Sequence, residues 1–494
     1  MKLKHFTSIG TLLALILLGS CNGNGTVSNS TDNTDMTETT AAVTESNVLA
    51  FLPEDIDYNG ETVNIMQAQW VISEYDNEIT YPLEEITPGD IVAEAVYQRT
   101  RAAEEKLNVH ITATACDWGD GLVDALRNGV LADTHEFDAV CGRLQTFTRI
   151  ITEGYLADLR SMETLNLDNP WWDAHVNQSL TIGGKQLLAT GDINYYDDYA
   201  VLCMVFNKNQ FNNLKLEIPY DKVRSGTWTF DAFYALIHDT VSDLNGDGQY
   251  DENDFYGFIT DNQFLGASMI GFGQSLSIEE TDGTRVINQS SVLIDRATYL
   301  IDILYDDNSF LNKDRKWGGS LAYELGDPMF GNGQALISSA MIASCLSLRG
   351  SMEDDFGILP SPKWDTSQEN YYHTINWNWA SAIAVPFNCI DFERTGYILD
   401  TMGALSPDTI TAAVIDKNVT DKSVRDEDSA EMLELILHTK IIDPAFVFDW
   451  EIGSVWRGPL ITAKEPNVAS ELAKVEKKSN IKIKRFMKAM DDLE

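Results

Sequence analysis

Apolar and polar positions change their period several times along the chain, and the changes mark its elements. Ile9 to Leu18 is an almost unbroken apolar run behind Lys2 and Lys4. Asn22 to about Asn47 is Ser, Thr, Asn, Gly and Asp with hardly a large apolar side chain. Such a stretch buries too little surface to offset its ordering entropy, so it reads as a flexible leash. Thr62-Val63-Asn64-Ile65-Met66 is β-prone, and after Pro88-Gly89-Asp90 the spacing of Ile91, Ala95, Val96, Ala103 and Leu107 predicts a helix with Asp90 as its N-cap. Val109, Ile111, Ala113 and Ala115 alternate as a second strand, Gly121 to Val130 reads as a helix, and Phe137 to Cys141 as a third strand. That order predicts a parallel sheet with right-handed crossovers and helices on its faces.

A second α/β pattern begins at Val201–Phe206, continues with a helix from Phe230 to Thr240 capped by Thr229, and reaches a strand at Tyr256–Thr260. Leu187 to Tyr199, between the two patterns, and Phe356 to Pro360, later on, both read as crossings between two lobes. A chain that crosses more than once builds each lobe from separate stretches, and the cleft between them can close by hinge bending. The division expected is 1–20 as a signal, 21–57 as leash, 58–192 plus 357–404 as the first lobe, and 193–356 plus 405–494 as the second. In open α/β sheets the ligand sits outside the carboxyl ends of the strands. That rule selects Gln67, Gln69 and Trp70, then Asp117 and Trp118, then Arg143.

Charge narrows the function. The 494 residues carry a formal net charge of -41 at pH 7, which excludes a nucleic-acid partner because a polyanion needs a basic surface. With 44% apolar and 22% charged residues the chain is globular in composition. The Ile9–Leu18 run is too short to span a bilayer, which takes about 20 residues. Leu18-Gly19-Ser20-Cys21 resembles the lipobox of bacterial lipoproteins, which implies cleavage before Cys21 and lipid on its sulfur. Cleavage would remove Lys2 and Lys4 and no acid, taking -41 to -43. The five cysteines left are an odd number without C-x-x-C spacing, and most sit in apolar runs, so they read as buried thiols.

Asp243-Leu244-Asn245-Gly246-Asp247-Gly248 begins a twelve-residue calcium-loop pattern. Asp243, Asn245 and Asp247 supply oxygen at positions 1, 3 and 5, Gly248 makes the turn at 6, and Gln249, Asp251 and Asp254 fill 7, 9 and 12. Asp at 12 replaces the usual bidentate Glu. A structural calcium that pins this loop is expected. The aromatics point to sugar. Tyr371 to Trp379 alternates amide and indole, and Asn194-Tyr195-Tyr196-Asp197-Asp198-Tyr199 is similarly mixed. Flat rings pack on the C–H faces of pyranoses while Asn, Asp and Arg bond the hydroxyls. Hydrolase, zincin, P-loop and dinucleotide motifs are absent. Carboxylate pairs for glycoside hydrolysis have no sequence signature, and Asp327 and Asp197-Asp198 are weak candidates.

In lipobox, leash and two-lobed α/β body the chain resembles the family 1 carbohydrate-binding solute-binding proteins of ABC importers, similar in architecture to maltose-binding protein. The matching stretches are Glu105–Val109, Glu153–Leu159, Phe206–Lys208, Gly226–Phe230, the calcium loop leading into Tyr256–Phe258, and Asp355–Pro360. The resemblance implies a type II periplasmic-binding-protein-like fold and a non-enzymatic monomer that takes a mono- or oligosaccharide in the inter-lobe cleft. It also implies delivery to ABC permease subunits at the outer face of the cell membrane, which the protein touches through its lipid anchor only. Gln67, Trp70, Arg143, Asp192, Tyr195, Tyr196, Asp198, Trp377, Trp379 and Trp456 are the expected ligand contacts. A surface glycoside hydrolase and a peptide-binding lipoprotein remain alternatives. Lys474, Lys477, Lys478, Lys482, Lys484, Arg485 and Lys488 cluster with apolar residues on a terminal helix expected to pack on the acidic body.

Overall fold

Two four-stranded sheets organise the chain. The computed structural model describes residues 48–69, 77–306, 308–309, 320–419, 427–463 and 466–493. The calls on Cys21 and Trp70 lie outside them. The strands are β1 (Glu61–Gln69), β2 (Val109–Asp117), β3 (Ala139–Arg143), β4 (Leu202–Asn207), β5 (Tyr256–Ile259), β6 (Ser277–Glu279) and β7 (Arg285–Ile287). They continue with β8 (Ala335–Met341), β9 (Phe356–Leu359), β10 (His373–Thr374), β11 (Ser381–Ala384) and β12 (Lys440–Ile441).

The first sheet runs β11-β3-β1-β2. β1 is parallel to β2 from Glu61↔Val109 to Gln69↔Asp117 and parallel to β3, while β11 joins β3 antiparallel. Helices Ile91–Leu107 and Asp120–Ala132 are its crossovers, the first capped as predicted by the Asp90 carboxylate, which accepts from the Ala93 amide. Residues 65–68 of β1 are buried in succession, as expected for a strand covered on both faces.

The second sheet runs β5-β8-β4-β9, with β8 and β9 both antiparallel to β4. Thr229 caps the Phe230–Ile237 helix by accepting from the Ala232 amide. β6 and β7 form a separate hairpin and β10 pairs with β12. The architecture is thus a two-lobed α/β fold.

One predicted crossing needs correction. Phe356–Leu359 is a strand of the second sheet, paired Met204↔Leu359 to Asn207↔Phe356, so the first lobe does not resume at 357. The chain returns further on: Ile375 bridges Val201, and Ser381 opposes Arg143 in the first sheet. The larger of two apolar clusters runs from Met66, Val92 and Val140 through Tyr195 and Tyr196 to Val205, Phe258 and Ile337. The lobes therefore share a core at the crossings.

A candidate binding cleft between the two sheets

The crossing at 194–199 holds three tyrosines against one another. Tyr195 and Tyr196 stack at 4.9 Å between centroids, and Tyr199 meets both edge-on at 5.6 and 6.1 Å. Their backbone is fixed from behind by a buried carboxylate. Glu78 Oε1 accepts from the Tyr195 and Tyr196 amides at 2.7 and 2.9 Å and from the Ser381 hydroxyl at 2.7 Å. Burial raises the Glu78 pKa against these bonds. Arg99, equally buried, donates to the Glu78 and Ile79 carbonyls.

In front of the tyrosines is a cavity of about 310 Å³. Tyr81, Tyr195, Tyr196, Tyr199 and Trp379 form one wall, and Asp327, Met341, Ser344 and Ser347 from the second lobe form the other. Asp90 and Lys417, paired at 3.1 Å, also line it. Burial lifts the Asp327 carboxyl to about 6, and the neighbouring Asp261 charge adds to the shift. Flat aromatic faces opposite a carboxylate and two hydroxyls suit a ligand with apolar faces and a polar rim.

The ten expected contacts therefore divide. Tyr195, Tyr196 and Trp379 meet in this cavity. Gln67 does not: it is buried, accepts from the Glu78 amide and lines a different cavity beside β2. Arg143 lies 4.4 Å over the Trp118 ring and donates to the Asn378 carbonyl. Trp377 stacks on Phe446 at 4.4 Å with the Arg457 guanidinium at 4.4 Å from its centroid. Trp456 is a core residue with no exposed surface, which corrects its placement on a cleft wall.

Asp198 and Asp192 belong to a buried ion cluster on the crossing. Lys440 Nζ lies 2.9, 2.8 and 2.7 Å from Asp173, Asp197 and Asp198. Burial pulls the Lys440 pKa down, but Asp173, Asp197, Asp198 and Asp192 push it well above its ordinary value. Asp192 accepts from the Thr411 hydroxyl at 2.7 Å and lines, with Asp198, a cavity of about 410 Å³ distinct from the cleft. Tyr81, Lys417 and the supporting Glu78–Arg99 pair were not assigned from sequence, and Asp327 was named there only as a weak hydrolase carboxylate. None stands in a motif, and each acquires its place through long-range packing.

The Asp243–Asp254 loop has the backbone its pattern calls for. Gly246 and Gly248 take φ of +76° and +77°. Asp243 accepts from the Gly246 and Gly248 amides at 2.6 and 2.9 Å, which holds its carboxyl below the usual range. Asp254 accepts from the Leu244 and Asp251 amides at 2.9 and 2.8 Å. The donor types fit a hard cation, yet among the described residues no three Asp, Glu, His or Cys side chains gather into a metal-holding group.

No protein-family model matches the chain, and no curated protein does. Solved structures do. UspC of M. tuberculosis, 12% identical, matches 85% of this chain and 100% of its own with a TM-score of 0.55. The cyclic alpha-maltosyl-1,6-maltose binding protein of Arthrobacter globiformis is 16% identical over 86% of this chain and 99% of its own, TM-score 0.54. The ABC substrate-binding protein Lmo0181 of Listeria monocytogenes, in complex with cycloalternan, is 14% identical over 87% and 99%, TM-score 0.50. The chain has the fold of ABC substrate-binding proteins. Among the described residues no helix is long and apolar enough to cross a membrane.

Proposed function

We propose that this protein is a lipid-anchored extracellular solute-binding protein that captures a mono- or oligosaccharide between its lobes and delivers it to an ABC importer. The observation that carries the reading is the cavity in which Tyr195, Tyr196, Tyr199 and Trp379 face Asp327, Ser344 and Ser347 of the other lobe. Ring faces take the sugar's C–H surface, and the carboxylate and hydroxyls take its rim. The ligand favours the closed form only through the contacts it gains from the second lobe. Solved structures of the same fold include proteins described with maltotetraose and cycloalternan.

Calorimetric titration with a panel of oligosaccharides and peptides, with product analysis after each run, tests this. Binding of a sugar without turnover is expected, and Tyr196→Ala and Trp379→Ala should each weaken it at least about tenfold, or about 1.4 kcal/mol. Intact affinity in both variants overturns the site. Turnover would favour the hydrolase reading, and binding of peptides alone the peptide reading. Anchoring at Cys21 predicts that the mature protein enters the detergent phase of a phase separation, and recovery in the aqueous phase contradicts it.

Calcium in the Asp243–Asp254 loop belongs to the same proposal. It requires the carboxylates to turn from loop amides toward an ion, and the left-handed glycines already supply the sharp turn. Uptake of one calcium is expected in calorimetry, with loss in Asp243→Ala. A chain that takes up none has an acidic turn and no site.

A further inference from the structure

Lys440 cannot satisfy all the carboxylate oxygens around it. Its Nζ carries three protons, and Asp173, Asp197 and Asp198 take them at 2.9, 2.8 and 2.7 Å. Asp198 is 1% exposed; its Oδ1 accepts from Lys440, and its Oδ2 is buried with no hydrogen-bond partner among the described residues. Such an oxygen has lost its water and gained nothing in exchange. Asp198 lines the cavity of about 410 Å³ beside this cluster, together with Asp168, Asp173, Asp192 and Glu434. Five carboxylates there face one ammonium, with His175 and His438 the other titratable groups of the wall. Asp168 is held by Arg160 at 3.1 Å, and single hydroxyls serve two more: Thr190 donates to Asp173 at 2.8 Å and Thr411 to Asp192 at 2.7 Å. Burial raises Asp192 to about 7 and Asp198 above its ordinary range, against the pull of Lys440. Carboxylates short of positive charge respond in this way.

We propose that this cavity is a second binding site, for a short aliphatic amine whose ammonium group supplies the donors that the carboxylates lack. The chemistry of the walls selects the class. A bare metal ion does not fit, because Lys440 Nζ already stands where Asp173, Asp197 and Asp198 converge, and among the described residues no three such side chains gather into a metal-holding group. A neutral polyol brings acceptors along with its donors, and these walls have acceptors to spare. An alkylammonium brings three donors and no acceptor. Trp172, Pro407, Ile415 and Leu437 lie among the carboxylates and suit the methylene groups of such a chain. Asp173 caps the Ala174–Leu180 helix, Asp192 and Asp198 belong to the crossing, and Glu434 stands on the Glu427–His438 helix, so a diamine meets carboxylates on separate elements. The cavity shares no lining residue with the tyrosine-walled cleft. This site therefore goes beyond the sugar reading and does not depend on it.

The test is calorimetric titration of the full chain with 1,4-diaminobutane, and with 1,4-butanediol as its uncharged counterpart. Sodium chloride at about 0.15 M screens the loose attraction of a dication to the acidic surface. Uptake of one diamine per chain is expected, with no heat from the diol. Asp192→Asn and Glu434→Gln should each weaken the diamine at least about tenfold, as loss of a bond to a charged group does. Glu280→Gln, at an exposed position outside the cavity, should bind as the parent does. No uptake, or uptake that the two wall variants change no more than Glu280→Gln does, overturns the proposal, and so does equal binding of the diol. If Asp192→Asn does not fold, Glu434→Gln, at an exposed helix position, decides alone. Trp379→Ala, which removes part of the cleft wall, should leave diamine uptake intact, so failure of this site and failure of the sugar reading are told apart.

Discussion

Burial lifts the Asp192 carboxyl from its ordinary 3.8 to about 7, with Lys440 opposing the shift and Asp198 adding to it. The unfolded chain loses that proton near pH 4, so between about pH 4 and 7 only the folded state holds it. Stability must therefore fall as pH rises through this window. Asp192→Asn is neutral throughout and keeps an acceptor for the Thr411 hydroxyl. Thermal midpoints measured from pH 4 to 8 should fall less steeply in the variant, and at pH 8 it should be at least as stable as the parent. Asp327 and Asp443, both raised to about 6 by burial, leave part of the slope in place. Identical slopes would mean that Asp192 titrates normally. Sequence showed Asp192 and Asp198 as polar groups at a crossing and read them as ligand contacts. Their partner Lys440 is more than 240 positions away, and nothing local announces it.

At the scale of elements, the strands and helices of the first sheet follow from local signals: alternation in β2, apolar period in Ile91–Leu107, and a capping Asp90. Partners of the late strands do not. β9 was read as extended from its apolar run, but all four of its residues are buried against β4, about 150 positions earlier, and no local feature encodes that pairing. The Tyr371–Trp379 alternation misled for a related reason. His373 is fully buried, its pKa lowered to about 3 by desolvation, and Nε2 accepts from the Ser361 amide. Asn376 Oδ1 accepts from the Asn378 amide, so a polar residue there serves the backbone and only Trp379 reaches the cleft. Close packing in β5 gives a prediction of its own. A Cβ on Gly257 would lie 2.3 Å from the Ile237 carbonyl oxygen and 2.4 Å from Thr240 Oγ1, which would force the Phe230–Ile237 helix off the sheet. Gly257→Ala should cost about 1–3 kcal/mol in urea unfolding. Gly350→Ala, in open space within the Ile342–Ser351 helix, should be neutral or slightly stabilising. Equal stability of the two variants would contradict the packing of β5.

For the whole molecule, the sequence disclosed two lobes and a crossing rich in tyrosine, but only one wall of the cleft. Asp327, on the Ser320–Gly331 helix before β8, and Ser344 and Ser347, on the Ile342–Ser351 helix after it, are ordinary residues that become a wall because both helices bring them to the cleft. Net charge acts at this scale too. Acidic side chains number 76 against 35 Lys and Arg, so the folded surface repels itself. Salt acts on two opposing sets of interactions. It weakens exposed pairs such as Arg224 with Asp221, Asp428 and Glu431, each worth roughly 0–1 kcal/mol. It also relieves repulsion among 41 unmatched charges, because the screening length shortens from about 30 Å at 0.01 M to about 8 Å at 0.15 M. The excess of acid decides the sign. In chelator-treated buffer at pH 7, where no divalent ion can mimic the effect, the thermal midpoint should rise as sodium chloride goes from 0.01 to about 0.15 M. A flat or falling midpoint would show that ion pairs, and not net repulsion, govern how this acidic surface responds to salt.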